Sequence, residues 1–537
     1  MYLVKTHIGR HELHWLGLKT YKQGINNRSI MSPLKKNIAA NFIGSGWTFL
    51  MSLAFIPFYI HFMGIESYGL VGIFVTMQAL FGLLDMGLGA TVNREMARLS
   101  VLPEKAGEMR DLVRTLEVIY WGVAVLIGVA VVFLAPVIAH HWVKPGQLPP
   151  STIEQSIMIM GLAMALQWPV SFYSGGLTGL QQQILLNGIN IGVGTFRGAG
   201  AVLVLWLISP TISAYFTWQI LVSAVNVFLA VSFFWRNLPK GDRRATFHRD
   251  LLFGAWRFAA GMSGITLLST ILTQTDKIIL SKMLPLEIFG YYTLAGAVAM
   301  TLYRLIGPVF SAIYPRFTEL VSLGDQHGLK DLYHTICQFI SVLIFPFGFI
   351  IAFFSYDILL IWTQNQSTAE NAYLLTSILT CAMVLSGSMY IPYALQLAYG
   401  WTRLTIYVNL IAIILLTPLM ILMTSQYGAV GGASVHLILN SGYFLIAIYF
   451  MHRRLLPHEK WRWYWEDVGV PLVAAVLTAG MGRLLIGSQT SRFMMMFGLI
   501  IVSIFTLGVT AMATPTTRTW ILSKVPLRRI NQVYSGK

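Results

Sequence analysis

The stretch FMGIESYG at 62–69 returns 221 positions further on as MLPLEIFG at 283–290, which lays Glu66 over Glu287, Tyr68 over Phe289 and Gly69 over Gly290. The same offset lays EMARL at 95–99 over RFTEL at 316–320. Each copy runs through an apolar stretch, a short loop with Glu and Gly, a second apolar stretch and an amphipathic segment. A repeat sought early decides architecture before any single residue does.

The stretches around the two copies are long, continuous and apolar. Of the 537 residues, 56% are hydrophobic and only 11% charged, with a mean hydropathy of +0.66; a soluble domain carries about 25% charged residues. Crossing a membrane takes about 20 apolar residues, and only helices and closed barrels satisfy every peptide group there. Runs this long select helices. Fourteen spans are expected, near 38–63, 68–92, 115–139, 155–179, 184–209, 211–235, 256–281, 287–312, 332–355, 371–399, 403–424, 428–451, 467–487 and 493–513.

Six spans separate the two copies, an even number, so both copies point the same way. The expected fold is therefore an all-α polytopic membrane protein with two parallel-repeat six-helix lobes plus two C-terminal helices. Its segments read as an N-terminal segment 1–36, an N-lobe 37–235, a basic linker 236–253, a C-lobe 254–451, a loop 452–466, two extra spans 467–513 and a tail 514–537. Parallel repeats about an axis along the membrane normal are a transporter signature, with the cavity between the halves.

Charge orients the spans. Of the 37 Lys and Arg residues, 30 fall on the side of the N-terminus, 4 on the other (Lys144, Lys282, Arg483, Arg492) and 3 within spans (Arg197, Lys277, Arg304). The positive-inside rule then puts both termini in the cytoplasm. A net charge of +16 invites a nucleic-acid reading, but these basic residues lie between apolar runs and not on one soluble face. The first thirty residues lack a signal-peptide core, and Met31, opening MSPLKK before the first span, is the expected start. Cys337 and Cys381 lie in apolar runs without CxxC spacing, so neither a disulfide framework nor a metal site is expected.

Catalytic signatures are missing: there is no GxSxG, Walker loop, HExxH or GxGxxG, and His140-His141 reads as loop surface. No cofactor is expected. The informative residues are polar groups inside spans, each costly unless turned toward a wet interior. Asn187, Asn190, Gly194 and Arg197 share one helical face, as do Ser263, Thr266, Thr270, Thr273 and Lys277, and Thr301, Arg304, Pro308 and Ser311. Uncharged stripes run through Asn37, Asn41, Ser45, Thr48 and Ser52, through Gln167, Ser171, Ser174 and Thr178, and through Gln219, Ser223 and Asn226. Such stripes line a water-filled cavity or serve as interhelical glue, worth about 0.6 kcal/mol per contact. Asp276 is expected to pair with Arg304 while Lys277 faces the cavity. Asp85 holds either a cytoplasmic gate through Arg94 or Arg98 or a headgroup-level salt bridge.

NIAANF at 37–42, FMGIESYG at 62–69, LDMGLGATVNRE at 84–95 and QTDKIIL at 274–280 resemble the polysaccharide-transporter branch, with its Wzx-type O-antigen and capsule flippases, of the multidrug/oligosaccharidyl-lipid/polysaccharide exporter superfamily. The resemblance runs over roughly 34–450. It implies a bacterial inner-membrane flippase that moves undecaprenyl-diphosphate-linked oligosaccharide to the periplasmic leaflet by alternating access. It further implies a polysaccharide polymerase and a chain-length regulator as membrane partners, and leaves proton or sodium coupling open. On this reading Arg197, Arg304, Lys277, Asn190 and Asn41 meet the substrate, and Asp276, Asp85 and Arg94 couple or gate. Guanidinium groups suit diphosphate oxygens through bidentate contacts.

Three other readings compete. A multidrug exporter of the same superfamily wants interior acids for organic cations, whereas the interior charges here are mostly basic. A membrane polymerase or ligase wants a large outer loop, and the longest one, about 140–154, is short. A scaffold that transports nothing is compatible with the stripes.

Overall fold

Helices close every backbone hydrogen bond within one segment, which a lipid environment demands, and the apolar runs fold accordingly. The computed structural model describes residues 27–85, 87–240, 243–486 and 491–524; side chains at 27–35, 38, 103, 251–266, 520, 522 and 524 lie outside that description. The segment before residue 27, the tail from 525, and the side chains of Met31, Ser263 and Thr266 thus fall outside it.

The first half comprises α1 (Asn27–Ala54), α2 (Ile56–Gly82), α3 (Leu88–Leu99), α4 (Ala106–Val137), α5 (Pro150–Gln167), α6 (Val170–Gly179), α7 (Gln183–Leu207) and α8 (Ile212–Asn237). The second comprises α9 (Arg249–Met283), α10 (Leu286–Ala299), α11 (Thr301–Leu323), α12 (Gln326–Phe353), α13 (Ser355–Thr363), α14 (Gln366–Ser388), α15 (Tyr390–Ala398), α16 (Arg403–Gly442) and α17 (Ile448–Leu455). A single turn, α18 (Lys460–Arg462), leads through a widened helical stretch to α19 (Val470–Leu485), then α20 (Arg492–Ala513) and α21 (Pro515–Lys524). Among the described residues eleven helices are long and apolar enough to cross a membrane, against the fourteen spans expected. One of them, Arg403–Leu455, is 53 residues long and broken at Gly428, whose φ of 58° no β-carbon-bearing residue adopts readily. The Asn-, Ser- and Thr-rich α1 and α9 are not among the eleven.

The repeat is visible in the backbone. In the first copy the chain turns at Gly64, with φ 79° and ψ 164°; in the second it turns at Pro285, with φ −55° and ψ 144°, 221 positions on. The two copies then press against each other. A β-carbon on Gly69 would stand 2.5 Å from the Leu286 carbonyl oxygen, and one on Gly290 would stand 2.3 Å from that of Ile65. Ile65 and Leu286 are themselves repeat mates, so the contact is reciprocal and marks the axis relating the lobes. Gly72 closes on Thr293, again its mate.

The hydrophobic cores are distributed unevenly along this axis. At the end where Lys144 and Lys282 lie, one core joins the lobes, with Ile60, Leu70 and Phe74 packed among Leu286, Phe289 and Leu294. At the opposite, basic end each lobe has its own core, around Met96, Leu116, Phe172 and Phe234 in the first and Phe317, Tyr333, Phe345 and Trp463 in the second. Among the described residues the cores are fused at the charge-poor end and separate at the basic end, where α9 packs back on α3 and α4.

The linker belongs to the N-lobe. Asp111, on α4, accepts from Arg243 Nη2, from the Thr246 backbone N–H at 2.8 Å and from the Thr246 hydroxyl at 3.2 Å, while the His248 backbone N–H donates to Thr115 Oγ1 at 2.9 Å. The last two long helices belong to the C-lobe. His334 Nδ1 lies 2.5 Å from Asp467 Oδ2, Gln338 Nε2 donates to Asp467 Oδ1 at 2.9 Å, and the Thr516 N–H donates to Gln338 Oε1 at 3.0 Å. At the other end Arg483 pairs with Asp357 at 2.5 Å. Cys337 is buried and Cys381 partly so, and both are free thiols.

Candidate functional site: a cleft between the lobes

Division at the basic end leaves a cleft whose walls come from α1 and α11. The α1 stripe is open to its surroundings: Asn41, Ser45, Thr48, Ser52 and the intervening Trp47 are all exposed. Across from it, the guanidinium of Arg304 on α11 lies 5.7 Å from the ring centre of Phe49. Arg304 is exposed and pairs with no carboxylate among the described residues. Further along α11, Phe310 stacks on Tyr314 at 6.2 Å and on Tyr393 of α15 at 6.1 Å, with Tyr390 edge-on at 5.9 Å, and both Phe310 and Tyr390 pack on the C-lobe core. These aromatic faces were not singled out from sequence, because α15 enters from 80 residues away and a Tyr in an apolar run reads as core. Together the walls offer a cation, aromatic faces and a row of hydroxyls and amides.

The other expected substrate residues sit elsewhere. Asn41 accepts from Asn187 Nδ2 at 2.6 Å, which ties α1 to α7, and Asn190 is exposed one turn further on. Arg197 points into the N-lobe interior: its Nη2 donates to Gln167 Oε1 at 2.9 Å, Asn226 Nδ2 reaches the same oxygen at 3.4 Å, and its Nε is buried without a partner. Lys277 is half-buried, with Nζ 3.4 Å from Gln274 Oε1.

Asp276 does not meet Arg304, the pairing expected from sequence. Its carboxylate lies 3.0 Å from His436 Nε2, on the second part of α16, and accepts from the Tyr292 hydroxyl at 2.7 Å. The other carboxylate oxygen is buried and unpartnered. A cavity of about 20 Å³ lined by Asp276, His436, Thr275 and Thr417 adjoins the pair, which is room for one water-sized group. His436 escaped the sequence reading because it stands alone in an apolar run, 160 residues from its partner.

Asp85 likewise meets neither Arg94 nor Arg98. It caps α3, accepting from the Gly89 N–H at 3.3 Å, and also accepts from the Tyr120 hydroxyl and from Ser171 Oγ at 3.4 Å. Arg94 and Arg98 pair with Glu95 at 3.3 and 2.7 Å. The local cap won because the carboxylate lies four residues ahead of an orphan helix N–H.

At the charge-poor end a latch holds the lobes together. Glu66 accepts from the backbone N–H groups of Gly146, Gln147 and Leu148 at 2.6, 2.9 and 3.4 Å. The loop so held crosses to the other lobe: the Leu286 N–H donates to the Lys144 carbonyl at 2.9 Å, Lys144 Nζ donates to the Met283 carbonyl at 2.8 Å, and Trp142 Nε1 donates to Ser281 Oγ at 3.0 Å.

Two lobes about an axis along the helices, closed at one end and cleft at the other, define a membrane transporter fold. Comparison agrees. A family model described as polysaccharide biosynthesis protein matches residues 34–321, and the chain belongs to that family. A putative O-antigen transporter from Shigella flexneri is 21% identical over 416 residues, 76% of this chain and 95% of that one. Among solved structures, an inward-facing multidrug resistance MATE transporter of the MOP superfamily shares the fold with TM-score 0.65, 13% identity and coverage of 76% and 94%. The lipid II flippase MurJ, in an inward closed conformation, does so with TM-score 0.64, 12% identity and coverage of 89% and 98%.

Proposed function

We propose that the protein is a flippase that carries undecaprenyl-diphosphate-linked oligosaccharide from the cytoplasmic to the periplasmic leaflet of the bacterial inner membrane, for O-antigen, capsule or exopolysaccharide assembly. The observation that carries the reading is the cleft itself. Among the described residues Arg304 stands exposed there without an acid, suited to diphosphate oxygens, and further along α11 lie aromatic faces of the kind that sugar rings stack against. The family and the printed roles of the Shigella relative and of MurJ support it. The 30-to-4 division of basic residues supports a cytoplasmic side for the cleft's open end and both termini.

The cycle follows from the two ends. The substrate enters while the basic end is cleft and the Glu66–Lys144 latch is shut; the latch then breaks and the cleft opens outward. Moving about two negative charges outward through an inside-negative potential releases about 4.6 kcal/mol per 100 mV. Asp276 with His436 is the coupling group, since its unpartnered oxygen beside a cavity accepts a proton or a sodium ion. The polymerase and chain-length regulator remain the expected partners downstream. Interior acids for an organic cation are few, which disfavours multidrug export.

The test is complementation of a flippase-null strain, reading accumulation of lipid-linked oligosaccharide. Wild type clears the accumulated intermediate, and Arg304→Ala leaves it. Full clearance by Arg304→Ala at normal protein level overturns the assignment of the cleft.

A further inference from the structure

We infer that the basic end of the C-lobe, where α17 meets α18, seats the phosphate headgroup of an anionic phospholipid of the cytoplasmic leaflet; the choice of leaflet rests on the orientation proposed above. The sequence here is IYFMHRRLLPHEKWRWYWED, 448–467, and the fold brings its two halves side by side. Lys460 Nζ lies 4.6 Å from the ring centre of Tyr449 and 4.7 Å from that of Trp461. Arg453 follows Tyr449 by one helical turn on the same face of α17, so the ammonium resting on Tyr449 and the Arg453 guanidinium share one surface. Neither cation meets a carboxylate among the described residues, whereas nearby Arg462 is held by Glu466 at 3.2 Å and Lys330 by Glu459 at 2.9 Å. Arg453 is thus left exposed and Lys460 half-buried on the two rings, beside two acids already taken.

The surroundings fix the depth of this seat. Trp461 and Trp465, four residues apart on one face, are 73% and 69% exposed. Exposed tryptophans at the end of a span belong at the headgroup level, where the ring meets both phases. The candidate spans Arg403–Leu455 and Lys460–Leu485 end and begin within this segment, so the four side chains stand at the membrane boundary. A phosphodiester bound there replaces the missing acids for Arg453 and Lys460, and its glycerol and upper acyl chain lie against the indoles. A zwitterionic headgroup satisfies the phosphate contact but brings its own cation to the same surface, so an anionic lipid is preferred.

The full-length protein, purified in detergent and titrated with phosphatidylglycerol or phosphatidylcholine, reports retention by native mass spectrometry. Phosphatidylglycerol is expected to bind more tightly than phosphatidylcholine, and the Arg453→Gln/Lys460→Gln variant to hold it about thirtyfold more weakly, about fivefold per basic residue. As a second reading, brominated phosphatidylglycerol quenches the tryptophan emission of wild type more than that of the Trp461→Phe/Trp465→Phe variant. Equal retention of phosphatidylglycerol by wild type and the double variant, or equal quenching in the Trp variant, overturns the seat. An equal loss of polyprenyl diphosphate binding in the double variant assigns the patch to the substrate instead. Lipid retention is read without transport, so its result stands apart from the complementation test.

Discussion

The interiors of the two lobes occupy equivalent places and carry opposite charges. Carried along the chain, the offset of 221 lays Tyr215 over His436 and Arg197 over Pro418. In the N-lobe this position holds a guanidinium bonded to Gln167, with Tyr59 packed edge-on to Tyr215 at 5.1 Å. In the C-lobe it holds the Asp276 carboxylate, His436 and a cavity, where the mate of Asp276 is Phe55. Phe55 fills its side of the N-lobe by packing on Gly198. The repeat has kept the backbone plan and exchanged the chemistry, so that the C-lobe position holds an acid, an imidazole and a water-sized space beside them.

Six substitutions probe the two lobes and their contacts, in order of expected effect. Valine at Gly69 or at Gly290 drives side-chain atoms into a carbonyl of the mate copy; either costs more than about 3 kcal/mol, and both lose folded protein to the same extent in a detergent thermal-shift assay. If one is tolerated and the other is not, the reciprocal axis is wrong. Asp276→Asn abolishes the response of transport in proteoliposomes to an imposed ion gradient, a loss of about a hundredfold or more, while Arg197→Met leaves that response in place. The reverse outcome assigns coupling to the N-lobe.

Glu66→Gln weakens the latch without emptying it, because an amide oxygen still accepts from the loop; losing charge assistance on three backbone donors costs about 1–3 kcal/mol. The expected readout is faster labelling of Ser281→Cys by a membrane-impermeant reagent added on the side of the charge-poor end. Unchanged labelling removes Glu66 from the latch. The smallest effect concerns Glu459: burial alone raises its carboxyl, but Lys330 at 2.9 Å and His334 at 3.2 Å hold it below the ordinary value. A depressed carboxylate adds stability above its unfolded pKa, and that share disappears as pH falls through the lower, folded value. Glu459→Gln therefore lowers the melting temperature at pH 7 by a degree or two, about 0.5 kcal/mol, and the difference vanishes in acid.

What was readable in advance was whatever has a period. Apolar runs gave the helical membrane fold, the 221-residue offset gave the paired lobes, and the scarcity of Lys and Arg on one side anticipated the end where Lys144 and Lys282 meet the opposite lobe. Side-chain partners resisted because they depend on helices distant in sequence. Asp276 was matched to Arg304 on charge alone, and nothing local marks His436 as its neighbour. Asp85 was matched to arginines a turn or two away, yet an unsatisfied backbone donor was closer. The wall of Phe310, Tyr314, Tyr390 and Tyr393 was hidden among residues that apolar cores use everywhere.

The latch at the charge-poor end has an evolutionary corollary. Most of its bonds end on a main-chain atom on at least one side: the Leu286 N–H to the Lys144 carbonyl, the Lys144 ammonium to the Met283 carbonyl, and the Glu66 carboxylate to three successive amides. Such a clasp is indifferent to most substitutions along the loop and unforgiving of a single insertion, which would slide every amide past its acceptor. Relatives that share it should therefore keep the number of residues between Trp142 and Leu148 while letting their identities drift.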